Sequence, residues 1–217
     1  MPLQLKIDLH VHSSFSDGTG APESMLEHAR AKGLDGLAIT DHSILEGYFR
    51  AREVESDLLL IPGYEVETEA GHILVLGLEE LPSGVESIGY EELVGWVRSH
   101  GGLTVIAHPA ISRLHLVKWN RSPPDAVEVL NASYPLEYFV KRGLRLSERL
   151  GLPAVGGSDS HSTITVGDAY SVVDVQEAAV DDVLRAIIAG RVRFEGGLSP
   201  IKSRLRIGVG YLISSIF

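Results

Sequence analysis

LQLKIDLHVH, residues 3–12, sets Leu3, Leu5, Ile7, Leu9 and Val11 at every second position. A period of two marks a strand. On the same strand His10 and His12 stand two residues apart, so both imidazoles project from one face. PESMLEHARAKG (22–33) follows, with Pro22 where a helix starts and Gly33 just past its end. GLAIT (36–40) then reads as a buried strand. The opening of the chain is therefore strand, helix, strand.

The alternation continues. LLLIPGYEVE (58–67), HILVLGL (72–78), LTVIAH (103–108), DAVEVLN (125–131), PAVGGSD (153–159) and YSVVDV (170–175) are further strands. Helices are expected over EELVGWVRSHGG (91–102), LEYFVKRGLRLSERLG (136–151) and QEAAVDDVLRAIIAG (176–190). Such repeated units imply a mostly parallel α/β sheet, open or closed into a barrel. No composition break, repeat or low-complexity segment divides the chain, so a single domain is expected over residues 1–217.

Composition narrows the class. With 44% apolar and 22% charged residues the chain is neither disordered nor a coiled coil. No apolar run approaches the roughly 18–20 residues that span a bilayer. MPLQLKIDLHVH lacks the charged-then-apolar pattern of a secretory signal, and a soluble, cytoplasmic enzyme is expected. The absence of Cys removes disulfides, thiolate metal sites and thiol nucleophiles. A net charge of −10 disfavours stable binding to long nucleic acids.

Six of the nine His, with several acids, border strand ends. His10 and His12 share a strand, and the turn-rich loop HSSFSDGTG (12–20) then offers Asp17. Asp41 and His42 follow strand 36–40, and Glu65 follows a Pro62-Gly63 turn. His72 opens a strand, His108 closes one, and Asp159 and His161 end another in GGSDSH. Carboxyl ends of strands are where sites assemble in α/β folds. Singly, each of these residues reads as a cap, a turn or a satisfied histidine; together they read as a metal centre. Imidazole with carboxylate suits Zn, Mn or Fe. Six His and three acids exceed the needs of one ion and suffice for two or three, an arrangement typical of hydrolysis at phosphorus.

The stretches DLHVHSSFSDG (8–18), ITDH (39–42), Glu65 with His72, AHP (107–109) and GSDSH (157–161) resemble, in order, the motifs of the polymerase and histidinol phosphatase (PHP) superfamily. TITVGDAYSVV (163–173) is similar to the segment that ends stand-alone members. The resemblance implies a distorted (β/α)7 barrel of the PHP type with three divalent ions at its strand carboxyl ends. It places His10, His12, Glu65 and Asp159 on the first ion. Glu65 would bridge to a second, completed by His72 and His108, and Asp17, His42 and His161 would hold the third. The implied activity is hydrolysis of phosphate esters by metal-activated hydroxide, on a small phosphorylated compound or a nucleotide. His161 or His42 could protonate the leaving group, but an imidazole bound to an ion cannot freely serve as an acid, so a metal-bound water is the expected donor. Asp41, beside His42, is expected to orient an imidazole or to cap a helix.

Substrate contacts are sought in ISRLHLVKWNRSPP (111–124), where Arg113, Lys118 and Arg121 offer cations; Arg113 is preferred because it lies nearest a ligand. Asn131, at the end of its strand, is expected to reach the substrate. Trp119 is either a stacking surface or core. The interval 109–158 has no room for an inserted subdomain over the site, so an open site is expected. The basic-then-apolar segment KSRLRIGVGYLISSIF (202–217) is expected to cover the barrel or to form a homo-oligomer contact. The alternative to an enzyme is a non-catalytic, metal-stabilised module docked on a partner protein. A metal-dependent amidohydrolase is a more distant reading.

Overall fold

The computed structural model describes residues 3–111 and 114–203. Arg113 and the tail from residue 204 onward, with its expected covering or oligomeric role, lie outside the described residues. The strands are β1 (Leu3–Val11), β2 (Gly36–Ile39), β3 (Leu59–Thr68), β4 (Gly71–Leu76), β5 (Leu103–Ile106), β6 (Ala126–Asn131), β7 (Ala154–Gly157), β8 (Ala169–Val175) and β9 (Val192–Gly196). The helices are α1 (Pro22–Ala31), α2 (Glu46–Arg52), α3 (Tyr90–Ser99), α4 (Leu116–Arg121), α5 (Glu137–Leu150) and α6 (Val180–Ile188).

All nine strands form one sheet in the order β7-β6-β5-β4-β3-β2-β1-β8-β9. The expectation of a mostly parallel sheet is corrected. The pairs β1–β2, β2–β3, β5–β6 and β6–β7 are parallel, whereas β1–β8, β3–β4, β4–β5 and β8–β9 are antiparallel. The reason is plainest between β3 and β4. Thr68 pairs directly with Gly71 across a tight turn, and a parallel crossover needs a dozen or more residues. A second correction concerns Pro62-Gly63, which form no turn but lie within β3. Pro62 has no N–H to give; its carbonyl accepts the Gly77 N–H at 2.7 Å.

The sheet curls until its ends meet. Ser171 Oγ in β8 bonds both the N–H and the carbonyl of Gly156 in β7, each at 2.9 Å. Beyond Ser171 the seam changes partner. The Asp159 N–H donates to the His10 carbonyl and the His12 N–H to the Ser160 carbonyl, both at 2.8 Å. The residues after β7 thus pair with the carboxyl end of β1, while β8 runs along residues 3–7 of β1. Strands β1 to β7 make a distorted (β/α)7 barrel, with β8 and β9 wedged into its seam. Gly157 is required there, since a Cβ would stand 2.6 Å from the His10 Cβ.

One buried cluster takes a residue from each of eight strands: Leu5, Ala38, Ile61, Leu74, Val105, Ala126, Val155 and Val173. Only the barrel interior can collect such a set. The same cluster includes Val183, Leu184, Ala186 and Ile187 of α6. Leu184 abuts Gly77 at the end of β4, so α6 packs at the mouth opposite the carboxyl ends of the parallel strands. A second cluster joins Tyr64, Val75 and Trp119 to Leu93, Val94 and Val97 of α3 outside the sheet. Trp119 is core, with its indole N–H donated to the Ala70 carbonyl at 3.2 Å. No helix among the described residues is long and apolar enough to cross a membrane.

Candidate metal centre

The expected residues converge on the carboxyl edge of the barrel. His10 lies near the end of β1 and His12 just past it; His42, His108, Asp159 and His161 follow β2, β5 and β7. His72 opens β4, but β4 is antiparallel to β3, so its start lies at the same edge. Glu65 pairs with Leu74 and Glu67 with His72. The two-residue alternation therefore puts Glu65 and His72 on one face of the hairpin.

Four overlapping groups have donor atoms within 4.8 Å of one another: His12, Asp17, His42 and His161; His10, His12 and Glu65; His10, His108 and Asp159; and Glu65, His72 and His108. Glu65 is the hub. Its Oε1 lies 3.1 Å from both His72 Nδ1 and His108 Nε2. Its Oε2 lies 3.3 Å from His12 Nε2, 3.4 Å from His42 Nδ1 and 3.6 Å from His10 Nε2. Asp159 Oδ1 stands 3.4 Å from His10 Nε2 and 3.5 Å from His12 Nε2. Asp17 Oδ2 stands 3.2 Å from His161 Nε2 and 3.5 Å from His42 Nε2.

This density of groups governs their ionisation. Burial by itself would raise Glu65, yet His10, His108 and His12 hold it well below the usual carboxylate range. Asp159 is likewise lowered against burial by the surrounding imidazoles. Burial opposes charge on His10, but Glu128, Asp159 and Glu65 raise it well above an ordinary histidine. Burial lowers His12, which receives only partial compensation from Glu65. The hydrogen bond that His42 gives to Asp17 raises His42. The chain thus concentrates acids and imidazoles that neutralise one another in part.

Local backbone places these groups at a cost. His108 and Asp159 have φ of +30° and +50°, a region disfavoured for residues other than Gly and enriched at functional sites. The His108 N–H is held by Glu128 Oε2 at 2.7 Å. The loop bearing Asp17 is closed by Ser14 N–H to Gly20 O at 2.9 Å and tied to the segment after β7 by Thr19 N–H to His161 O at 2.8 Å.

Two acids were missed by the sequence reading. Glu128 in β6 is 1% exposed, and its Oε1 lies 3.0 Å from His10 Nδ1. Asp8 is fully buried and accepts the N–H groups of Ser158 and Gly167 at 2.9 and 2.8 Å; burial pushes it up to about 6. A charge inside an otherwise apolar strand, as in AVEVLN or KIDLHV, is the signal that would have found them.

Other expectations change. Asn131, expected at the substrate, is buried, and its amide donates to Glu128 Oε2 at 3.0 Å and Asp159 Oδ2 at 3.1 Å. The physical reason is an irregularity between Glu128 and Leu130, where the pairing with β7 gains a residue and the usual alternation is broken. Asp41 makes its hydrogen bonds to the loop after β1, from Ser13 N–H at 2.7 Å, Ser13 Oγ at 2.6 Å and Ser16 Oγ at 2.6 Å. Neither expected role appears in these contacts, and α2 begins at Glu46 without a side-chain cap. Lys118 pairs with Glu69 at 2.6 Å and Arg121 with Glu91 at 3.6 Å.

The donor set fits divalent cations. All donors are imidazole nitrogens and carboxylate oxygens. His12 and His108 both turn Nε2 toward Glu65, at 3.3 and 3.1 Å, and a buried carboxylate ringed by imidazole nitrogens is a donor set that suits such ions. Asp17, His42 and His72 are the solvent-facing side of the cluster, while His10 and His12 are its floor.

Comparison with known proteins agrees with this geometry. The PHP domain family model matches residues 8–118, and a PHP-associated family model matches residues 139–192. An uncharacterized protein of Methanocaldococcus jannaschii is 32% identical over 178 residues, covering 76% of this chain and 69% of that one. A phosphoribosyl 1,2-cyclic phosphate 1,2-diphosphodiesterase of Eggerthella lenta is 43% identical over 81 residues, 34% of this chain; the match spans only 31% of that enzyme. Among solved structures, a two-domain protein from Bacteroides vulgatus containing a predicted PHP-like metal-dependent phosphoesterase has a TM-score of 0.78 at 20% identity. That match covers 95% of this chain and 69% of the other, and is a likeness of fold.

Proposed function

Since the chain belongs to the PHP domain family, we propose that it hydrolyses phosphate esters with the help of three divalent ions, Mn, Zn or Fe. The observation that carries the reading is Glu65, whose two oxygens face different sets of imidazoles, His72 and His108 on one side and His10, His12 and His42 on the other. A carboxylate so placed is suited to bridge two ions. The first ion is assigned to His10, His12, Glu65 and Asp159, the second to Glu65, His72 and His108, and the third to Asp17, His42 and His161. Ions bound there would supply Lewis acidity toward a phosphoryl oxygen and toward an attacking water.

The chain's own contribution is position and the exclusion of water. His10 and His12 form a dry floor, and the exposed Asp17, His42 and His72 leave the other side open to a phosphoryl group. His161 Nδ1 lies 3.0 Å from the Asp159 carbonyl, leaving Nε2 toward Asp17. That nitrogen holds either a proton or a lone pair, and we assign the lone pair to the third ion. A small phosphorylated compound or a nucleotide suits an acidic protein better than a long nucleic acid does. The support from the diphosphodiesterase of Eggerthella lenta is that a relative of part of the chain acts on a phosphate diester. Residues 1–217 are proposed to act as one catalytic unit, since both family matches fall in one continuous sheet.

The test is hydrolysis of a chromogenic phosphomonoester and a phosphodiester by protein reconstituted with Mn, with His10→Ala as the blank. Turnover that vanishes in the variant supports the reading. Stoichiometric metal without turnover of either ester, repeated with Zn and Fe, overturns it in favour of a metal-stabilised module for a partner protein.

A further inference from the structure

Glu128 touches the centre from behind at three points. Its Oε1 faces His10 Nδ1 at 3.0 Å; its Oε2 accepts the His108 N–H at 2.7 Å and the Asn131 amide at 3.0 Å. That amide also donates to Asp159 Oδ2 at 3.1 Å. One buried carboxylate is thereby linked to three residues assigned to metals. We infer that Glu128 is a positioning residue that fixes which nitrogen of His10 faces the ions and holds His108 in its left-handed conformation.

A carboxylate only accepts, so all three neighbours must donate to it. With an ion bound, His10 would keep its proton on Nδ1 and turn Nε2, the nitrogen 3.6 and 3.4 Å from Glu65 Oε2 and Asp159 Oδ1, toward it. A ligand imidazole whose far nitrogen donates to a carboxylate is fixed in orientation and made more basic. The His108 bond acts on the backbone at the residue whose φ is +30°. Position 157 completes the arrangement, because a Cβ there would approach Glu128 Oε1 to 2.8 Å and His10 Cβ to 2.6 Å. Glu128 itself is shielded from solvent and is not assigned to an ion; it acts through His10 and His108.

The inference rests on the reading of His10 and His108 as metal ligands, and its test separates the two claims. Glu128→Gln keeps the shape but brings an NH2 group among three donors. Binding of Mn and of Zn to the wild-type and variant proteins is measured by competition with a chelator, alongside the tautomer of His10 by long-range 1H–15N NMR. The zinc-loaded wild-type protein is expected to carry the His10 proton on Nδ1. Glu128→Gln is expected to bind each metal about 10–100-fold more weakly and to lose that single tautomer. Wild-type metal affinity and an unchanged His10 signal in the variant would overturn the inference. Failure of the wild-type protein to bind metal would overturn the metal reading beneath it instead. Should the variant not fold, the wild-type spectrum still decides, since a His10 proton on Nε2 in the zinc-loaded protein contradicts the role given to Glu128.

Discussion

Asp41 accepts both the backbone N–H and the hydroxyl of Ser13, at 2.7 and 2.6 Å. A third bond, from Ser16 Oγ at 2.6 Å, makes this buried carboxylate the anchor of the loop that carries Asp17. Helix α2 packs so closely here that a Cβ on Gly47 would collide with Asp41 Oδ2. Replacing Asp41 by Ala leaves buried donors without an acceptor, expected to cost about 1–3 kcal/mol. The displaced loop should weaken the ion assigned to Asp17, His42 and His161 and spare the ions on Glu65. Urea unfolding and metal content per chain check both parts; full metal content in a destabilised variant would limit Asp41 to a role in folding.

His10 and His72 both face Glu65 but differ in exposure: the His10 side chain is 0% exposed and that of His72 32%. Removing His10 leaves Glu65, Asp159 and Glu128 without their shared buried partner, and breaking a buried pair costs about 3–5 kcal/mol. Removing the more exposed His72 should cost less than about 1 kcal/mol. In metal-free protein, His10→Ala should therefore unfold at much lower denaturant than His72→Ala, although both lose turnover. Equal stability of the two variants would show that the buried acids do not depend on His10.

The candidate ligand set was legible because metal binding restricts residue types and α/β chains expose them at strand ends. His10, His12, Asp17, His42, His108, Asp159 and His161 announce themselves by type and place. Glu128 did not, and Asn131 was read as a substrate contact rather than as a partner of Glu128 and Asp159, because their common direction comes from the irregularity in β6, which no period-two reading anticipates. The antiparallel run through β3, β4 and β5 was hidden for a related reason: buried strands look alike whichever way they run. Helix α2, at seven residues, is too short for its periodicity to register, and β9 is an edge strand of mixed burial.

Cation binding should stabilise the folded chain. A ligand that binds only the native state at a hundred times its dissociation constant adds about 2.7 kcal/mol. For a chain of this length that corresponds to a rise in Tm of roughly 5–10 °C. Mn or Zn should produce it, EDTA should reverse it, and Mg should do less, because six of the nine assigned donors are imidazoles. Differential scanning fluorimetry of the metal-stripped protein reads the shift directly. A larger effect from Mg than from Mn or Zn would contradict the assignment of imidazole ligands.

Ser171 offers a test of the barrel seam that leaves the metal centre untouched. Its hydroxyl links β7 and β8 at Gly156, where one oxygen satisfies both an N–H and a carbonyl at 2.9 Å. The residue is fully buried, so water cannot readily replace it. Gly156 must also lack a side chain there, since a Cβ would meet the Tyr170 carbonyl at 2.9 Å and Phe194 Cβ at 3.0 Å. Ser171→Ala strips two buried backbone groups of their partner, an expected loss of about 1–3 kcal/mol. Ser171→Thr keeps the hydroxyl and should recover part of it if the extra methyl is accommodated. The upper seam, made by Asp159 N–H to His10 O and His12 N–H to Ser160 O, is independent of Ser171. Metal content and kcat should therefore stay at wild-type values below the melting temperature of Ser171→Ala. A fall in kcat with stability unchanged would mean that the two halves of the seam are coupled, and that the ligands on β1 and after β7 are held by the whole closure rather than by its upper bonds.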